Sequence, residues 1–215
     1  MKQFAIITEA DARMLEYGTS VQLAKGGHIT PLAQDTLRER RISVIHDGQS
    51  AEADRLVPTA TVRTVALGSD HTGLALKRAM LERLRGSGLA VLDLGTTTDA
   101  AVDYPDTAEP VALAVQRGEA DAGIVIDGAG LGSAMVANKV PGIRAAACTT
   151  PTLARYSREH NGANVLALGA TLLSRDEAFA IVDLWLATPM TEPRYIRRLA
   201  KIERVEQRHR SRTSS

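Results

Sequence analysis

From residue 62 onward, five short and almost wholly apolar runs, VRTVALGS, LAVLDLG, AGIVID, IRAAAC and NVLALG, are separated by stretches of helical periodicity. Runs with no polar alternate face read as strands buried on both sides, and such strands belong to a parallel sheet covered by helices. Between the runs, Leu76, Met80 and Leu84 repeat at helical spacing ahead of a stop at Gly86, and Ser174 with Glu177 forms a capping box before FAIVDLWLA. Right-handed crossovers then predict a three-layer α/β/α, Rossmann-like domain over residues 61–210, with an open five-stranded parallel sheet of order 2-1-3-4-5.

The first 60 residues read as a small α/β extension. FAIIT, VQLA and ISVIH have strand character, a short helix is expected from Glu9 to Tyr17, and Thr30 with Pro31 marks the start of a second. GQSAEADRLVPTAT has the small, polar, proline-interrupted chemistry of a linker, which places the boundary between Gly48 and Thr61. A chain of 215 residues accommodates this arrangement, one domain of roughly 150 residues and something small.

Composition excludes several function classes. Aromatic residues make up 3% of the chain, too few for a base-stacking platform. The single Cys148 rules out an internal disulfide framework and a thiolate zinc cluster. No apolar run reaches about 18 residues and the amino terminus has no signal-peptide pattern, so a cytoplasmic protein without a membrane partner is expected. Residues 190–215 carry eight Lys/Arg against three Glu. This basic end reads as a solvated helix face with a frayed SRTSS tail, or as an anion site; nucleic acid is not expected, for want of a recognition motif.

Ligands of doubly wound sheets bind at the carboxyl ends of the strands, beside the order reversal. There the first strand is followed by GSDHTG, with Asp70 and His71, which serve either a ligand or a turn and helix cap. VDYPDTA presents Tyr104 at a helix entry. The third strand ends in IDGAGLGSAMVANK, where Gly128, Gly130 and Gly132 let the N–H groups up to Ser133 converge on an anion. Asp127 at its tip is either a general base or a carboxylate satisfied by those same N–H groups. A dinucleotide fingerprint is disfavoured, because the motif lies in the third unit rather than the first. His160 and Asn161 precede the fifth strand, and Arg194 and Arg198 stand four apart on one helix face, a spacing that lets two guanidinium groups grip one phosphate.

Together GSDHTGLALK, DLGTTTDAAVDYPD, AGIVIDGAGLGSAMVANKVPGIRAA, SREHNGANVLALG and RYIRRLAKI resemble the type B ribose-5-phosphate isomerases and the related galactose-6-phosphate isomerase subunits, over about residues 62–202. The resemblance implies an aldose–ketose isomerase without metal or cofactor, acting on a sugar phosphate as a dimer, or a tetramer of paired dimers, whose sites draw on both subunits. It places Asp70 and His71 on the substrate-binding pair, Tyr104 on the pocket tyrosine, His160 and Asn161 on the ring-opening region, and Arg194 and Arg198 on the phosphate. Many members have Cys where this chain has Asp127, Thr at Ala129 and Arg at Thr171. Asp127 is expected to take the proton beside the carbonyl, provided burial makes it basic enough, while N–H groups from Gly128 to Ser133 hold the enediolate oxygen. A binding subunit without activity is the alternative that these three changes favour.

The leader, ITEADARMLEYG and GGHITPLAQDTLRERRISV, resembles that of ethanolamine-utilisation proteins of bacterial microcompartments. It implies attachment to shell or lumen proteins; an appended module adding an oligomer contact is the other expectation.

Overall fold

A computed structural model describes residues 2–46 and 56–210, excepting the side chains of Lys25 and His46. Most of the expected linker and the SRTSS tail lie outside the described residues. The chain divides into two compact units, Met1–Leu56 and Val57–Ser215. Among the described residues no helix is long and apolar enough to cross a membrane.

The first unit runs β1 (Gln3–Ile7), α1 (Glu9–Met14), β2 (Ser20–Ile29), α2 (Pro31–Glu39) and β3 (Ser43–His46). Its three strands are parallel, in the order β1-β2-β3. Thr8 and Asp11 make a capping box at α1, and Thr30 accepts the Ala33 N–H at 3.4 Å at the start of α2, with Pro31 at the first helical position. Ile7, Ala12, Val21, Leu23 and Leu37 form its core.

The second unit contains β4 (Thr64–Ser69), α3 (Leu74–Gly86), β5 (Ala90–Asp93), α4 (Tyr104–Gln116), β6 (Ala122–Asp127), α5 (Leu131–Ala137), β7 (Ala145–Ala147), α6 (Pro151–Glu159), β8 (Val165–Gly169), α7 (Arg175–Ala187) and α8 (Pro193–Arg210). The expected five-stranded parallel sheet is present, as is the Ser174–Glu177 capping box. Gly86 does not stop α3; the helix includes it, and Gly88 takes the left-handed turn at φ 82°.

The strand order corrects the expectation. The sheet reads β5-β4-β6-β8-β7, which is 2-1-3-5-4 in chain order. Every residue of β8 is buried, and it pairs with β6 from Gly123↔Val165 to Asp127↔Gly169. β7 is three half-buried alanines at the edge. Placing Val165, Leu166 and Leu168 inside removes more apolar surface from water than three alanines would, and that outweighs chain order.

Steps toward the β7 edge, through α4 and α5, lie on one face of the sheet, where Ala108, Val111 and Ala137 pack. Steps in the other direction, through α3 and α6, lie on the opposite face with α7, around Met80, Leu84, Ile181 and Trp185. A constant crossover hand requires this division. The direction reverses between β4 and β6, so their carboxyl ends open the crevice.

Candidate active site

At the reversal, the parallel ladder continues past Ser69↔Ile126 through a bond from the Asp70 N–H to the Ile126 carbonyl at 3.2 Å. Asp70 and Asp127 therefore stand side by side at the tips of adjacent strands, which are spaced about 4.8 Å apart. Both are buried, at 6% and 4% exposure.

Their hydrogen bonding differs. Asp127 Oδ1 accepts the N–H groups of Ala129, at 2.8 Å, and of Gly130, while Oδ2 accepts that of Ser133 at 2.8 Å. Burial pushes the Asp127 carboxyl up, but the bonds from Ser133, Gly130 and Ala129 outweigh it and hold the group below the usual aspartate range. Gly130 makes this wrap achievable: its φ is 76°, and a β-carbon there would stand 2.8 Å from the Leu168 carbonyl carbon.

The expectation that the N–H groups from Gly128 to Ser133 hold a substrate oxygen is thus corrected for Ala129, Gly130 and Ser133. Asp127 occupies them itself, because an aspartate reaches back to the turn that follows it. Burial shelters Asp127 from water, as its expected role requires, yet does not make it more basic.

Asp70 binds through one oxygen. Its Oδ1 accepts the Thr72 N–H at 2.9 Å, the Thr72 hydroxyl at 2.6 Å and the Gly73 N–H at 3.1 Å, whereas Oδ2 has no partner among the described residues. His71 Nδ1 lies 3.2 Å from the Val102 carbonyl and 3.3 Å from its N–H. Either tautomer therefore ties His71 to the loop that delivers Tyr104. The Tyr104 ring lies over Gly132, and Thr72 and Thr171 flank Gly128, with the Thr171 hydroxyl donating to the Gly128 carbonyl at 2.6 Å. One edge of the sheet thus collects Asp70, His71, Tyr104, Asp127, Gly128, Gly130, Gly132 and Ser133.

His160, Asn161, Arg194 and Arg198 are not among them. His160 ends α6, five residues before β8 begins, which puts it and Asn161 at the amino edge of the sheet. Helix α8 runs along that same edge, with Leu199 beside Gly162 and Glu206 accepting the Gly142 N–H. There His160 stacks on Tyr156 at 4.7 Å between ring centres and lies 4.5 Å from Tyr195. The guanidinium groups of Arg194 and Arg198 sit over Tyr195 at 4.7 and 5.5 Å.

Sequence reasoning missed Thr72, Tyr156 and Tyr195. The i, i+4 spacing of Tyr156 and His160 on one helix carries a signal for the first contact. Tyr195 meets His160 from a distant helix and has no local signal. Among the described residues, no group of three or more His, Cys, Asp or Glu side chains is arranged to hold a metal ion.

Buried carboxylates at the switch point of a doubly wound sheet, under a tyrosine and beside a glycine-rich turn, define an α/β protein that takes a small polar ligand. Residues 65–202 match the family described as Ribose/Galactose Isomerase, and the chain belongs to it. It is 42% identical over 147 residues to ribose-5-phosphate isomerase B of Escherichia coli, covering 68% of this chain and 99% of that one. Its structure is similar to that of Clostridium thermocellum ribose-5-phosphate isomerase B, with 49% identity, a TM-score of 0.67, and 68% and 99% of the two chains covered. It is also similar to Mycoplasma genitalium ribose-5-phosphate isomerase B with bound ribulose-5-phosphate, with 40% identity, a TM-score of 0.64, and 67% and 96% covered.

Proposed function

We propose that the protein is an aldose–ketose isomerase that interconverts ribose 5-phosphate and ribulose 5-phosphate through ring opening and an enediolate, without a cofactor. The observation that carries this is the pair of buried carboxylates, Asp70 and Asp127, at adjacent strand tips. Proton transfer between neighbouring carbons needs a water-sheltered acceptor within reach of one bound sugar, and this pair is the sheltered acid–base group at the crevice. Similarity to isomerases that carry that substrate in their names supports the choice of sugar.

The working unit is a homodimer, or a tetramer of dimers, in which a second copy supplies His160, Asn161, Arg194 and Arg198. Five residues of β8 separate the two edges, about 17 Å of strand, longer than an open five-carbon sugar phosphate. Leu131 and Met135 on α5, and Leu153 and Tyr156 on α6, are exposed apolar side chains available to a second copy. In that assembly His160 shuttles the ring-opening proton, and His71, Arg194 and Arg198 hold the phosphate.

The anchored, acidic Asp127 favours a second assignment, a sugar-phosphate-binding subunit or an isomerase of another pentose or hexose phosphate. A panel of sugar phosphates assayed for proton exchange at carbon 2 separates these: exchange with ribose 5-phosphate is expected, exchange with another sugar only would rename the substrate, and silence throughout would leave a binding subunit. The first unit, outside the family match, attaches the enzyme to a bacterial microcompartment or adds an oligomer contact. Deleting residues 1–56 and measuring co-sedimentation with shells and oligomer size distinguishes the two.

A further inference from the structure

We infer that Asp70, not Asp127, is the base that moves the proton between carbons 1 and 2; the assignment rests on the isomerase function proposed above. A base needs a free lone pair facing the substrate, and the two carboxylates differ in this respect. On Asp127 both oxygens already accept backbone N–H groups, two on Oδ1 and one on Oδ2. A proton arriving there competes with those bonds in a buried site. On Asp70 all three bonds converge on Oδ1, leaving Oδ2 without a partner among the described residues.

That oxygen is not sealed from ligands. Asp70 keeps 6% of its surface exposed at the tip of β4. The bonds to Thr72 and Gly73 hold the carboxylate in one orientation, with its open edge at the strand tip beside Asp127. The work of the base therefore falls one strand over from Asp127.

The step balances within the substrate. Asp70 Oδ2 takes the proton from carbon 2 of the open aldose, the released pair forms the carbon 1–carbon 2 double bond, and the carbonyl pair moves to oxygen 1. Asp70 then returns the proton to carbon 1 as the hydroxyl proton of oxygen 2 passes to oxygen 1 and the ketone forms.

The test measures deuterium exchange at carbon 2 and binding of a reduced, non-isomerisable sugar phosphate, in wild type, Asp70→Asn and Asp127→Ser. Asparagine retains the Oδ1 acceptor of Asp70, and serine still offers one oxygen to the nest. Asp70→Asn is expected to lose exchange by about 100-fold or more while binding changes only a few-fold, with Asp127→Ser losing at least ten-fold less exchange than Asp70→Asn. Near-normal exchange in Asp70→Asn, or loss confined to Asp127→Ser, would overturn the assignment and leave the isomerase standing. Absence of exchange in the wild type with every sugar phosphate would remove the isomerase itself. Should Asp127→Ser fail to fold, the acid limb of the exchange rate decides, since Asp70→Glu moves that limb only if residue 70 is the base.

Discussion

The ring of Tyr104 rests on the bare α-carbon of Gly132: a β-carbon there would stand 2.6 Å from the ring's Cζ. The contact joins the start of α4 to the start of α5, so Tyr104 is positioned by the absence of a side chain. Gly132→Ala is expected to push the ring aside, raise KM more than it lowers kcat, and cost about 1–3 kcal/mol of stability. Tyr104→Ala in the same chain relieves the clash, and a double-mutant cycle in urea measures the coupling.

Asp127 stabilises the fold as an anion. Its carboxyl is held low by the bonds from Ser133, Gly130 and Ala129, so its contribution is complete above the ordinary aspartate range and is lost as pH falls below about 4. Asp127→Asn turns an amide N–H toward the donors it replaced, and a loss of about 1–3 kcal/mol at neutral pH is expected, with a flatter decline in acid. Unfolding midpoints measured across the acid range check both.

Lys77 on α3 is buried and pairs with Asp93 at the end of β5, at 2.5 Å; Asp93 keeps a quarter of its side chain exposed. Removing either partner is therefore unequal in cost. Asp93→Ala strands a buried ammonium and is expected to cost about 3–5 kcal/mol, whereas Lys77→Met leaves a carboxylate that water still reaches and costs less. Equal losses in chemical denaturation would contradict the asymmetry.

Arg158 is almost wholly buried, with its guanidinium 4.7 Å from the Trp185 ring and bonds to the carbonyls of Ala163, at 2.7 Å, and Thr59, at 3.2 Å. Burial, with Arg144 nearby, pulls its pKa down to about 10. Lysine has no planar fork to meet both carbonyls and the ring, so Arg158→Lys is expected to cost about 2–4 kcal/mol despite its conserved charge. Loss of near-ultraviolet dichroism from Trp185 at lower denaturant reports it.

Shared sites predict complementation. Asp70→Asn and Arg198→Ala, each inactive alone, restore about a quarter of wild-type activity when unfolded and refolded together, because half of randomly paired dimers hold one intact site. No recovery would place each site within one chain.

Much of this was legible locally. The buried strands, the caps at Thr30 and Ser174 and the wrap after β6 depend on residues a few positions apart, where sterics and hydrogen-bond geometry act directly. The tertiary structure decided what depends on competition between distant segments: β8 displaced β7 from the interior because it buries more apolar surface, and His160 and the arginines fell to the amino edge because direction along a parallel strand separates what chain order leaves adjacent. It also decided which carboxylate remained open, since Asp127 and Asp70 read alike until their hydrogen-bond partners are counted.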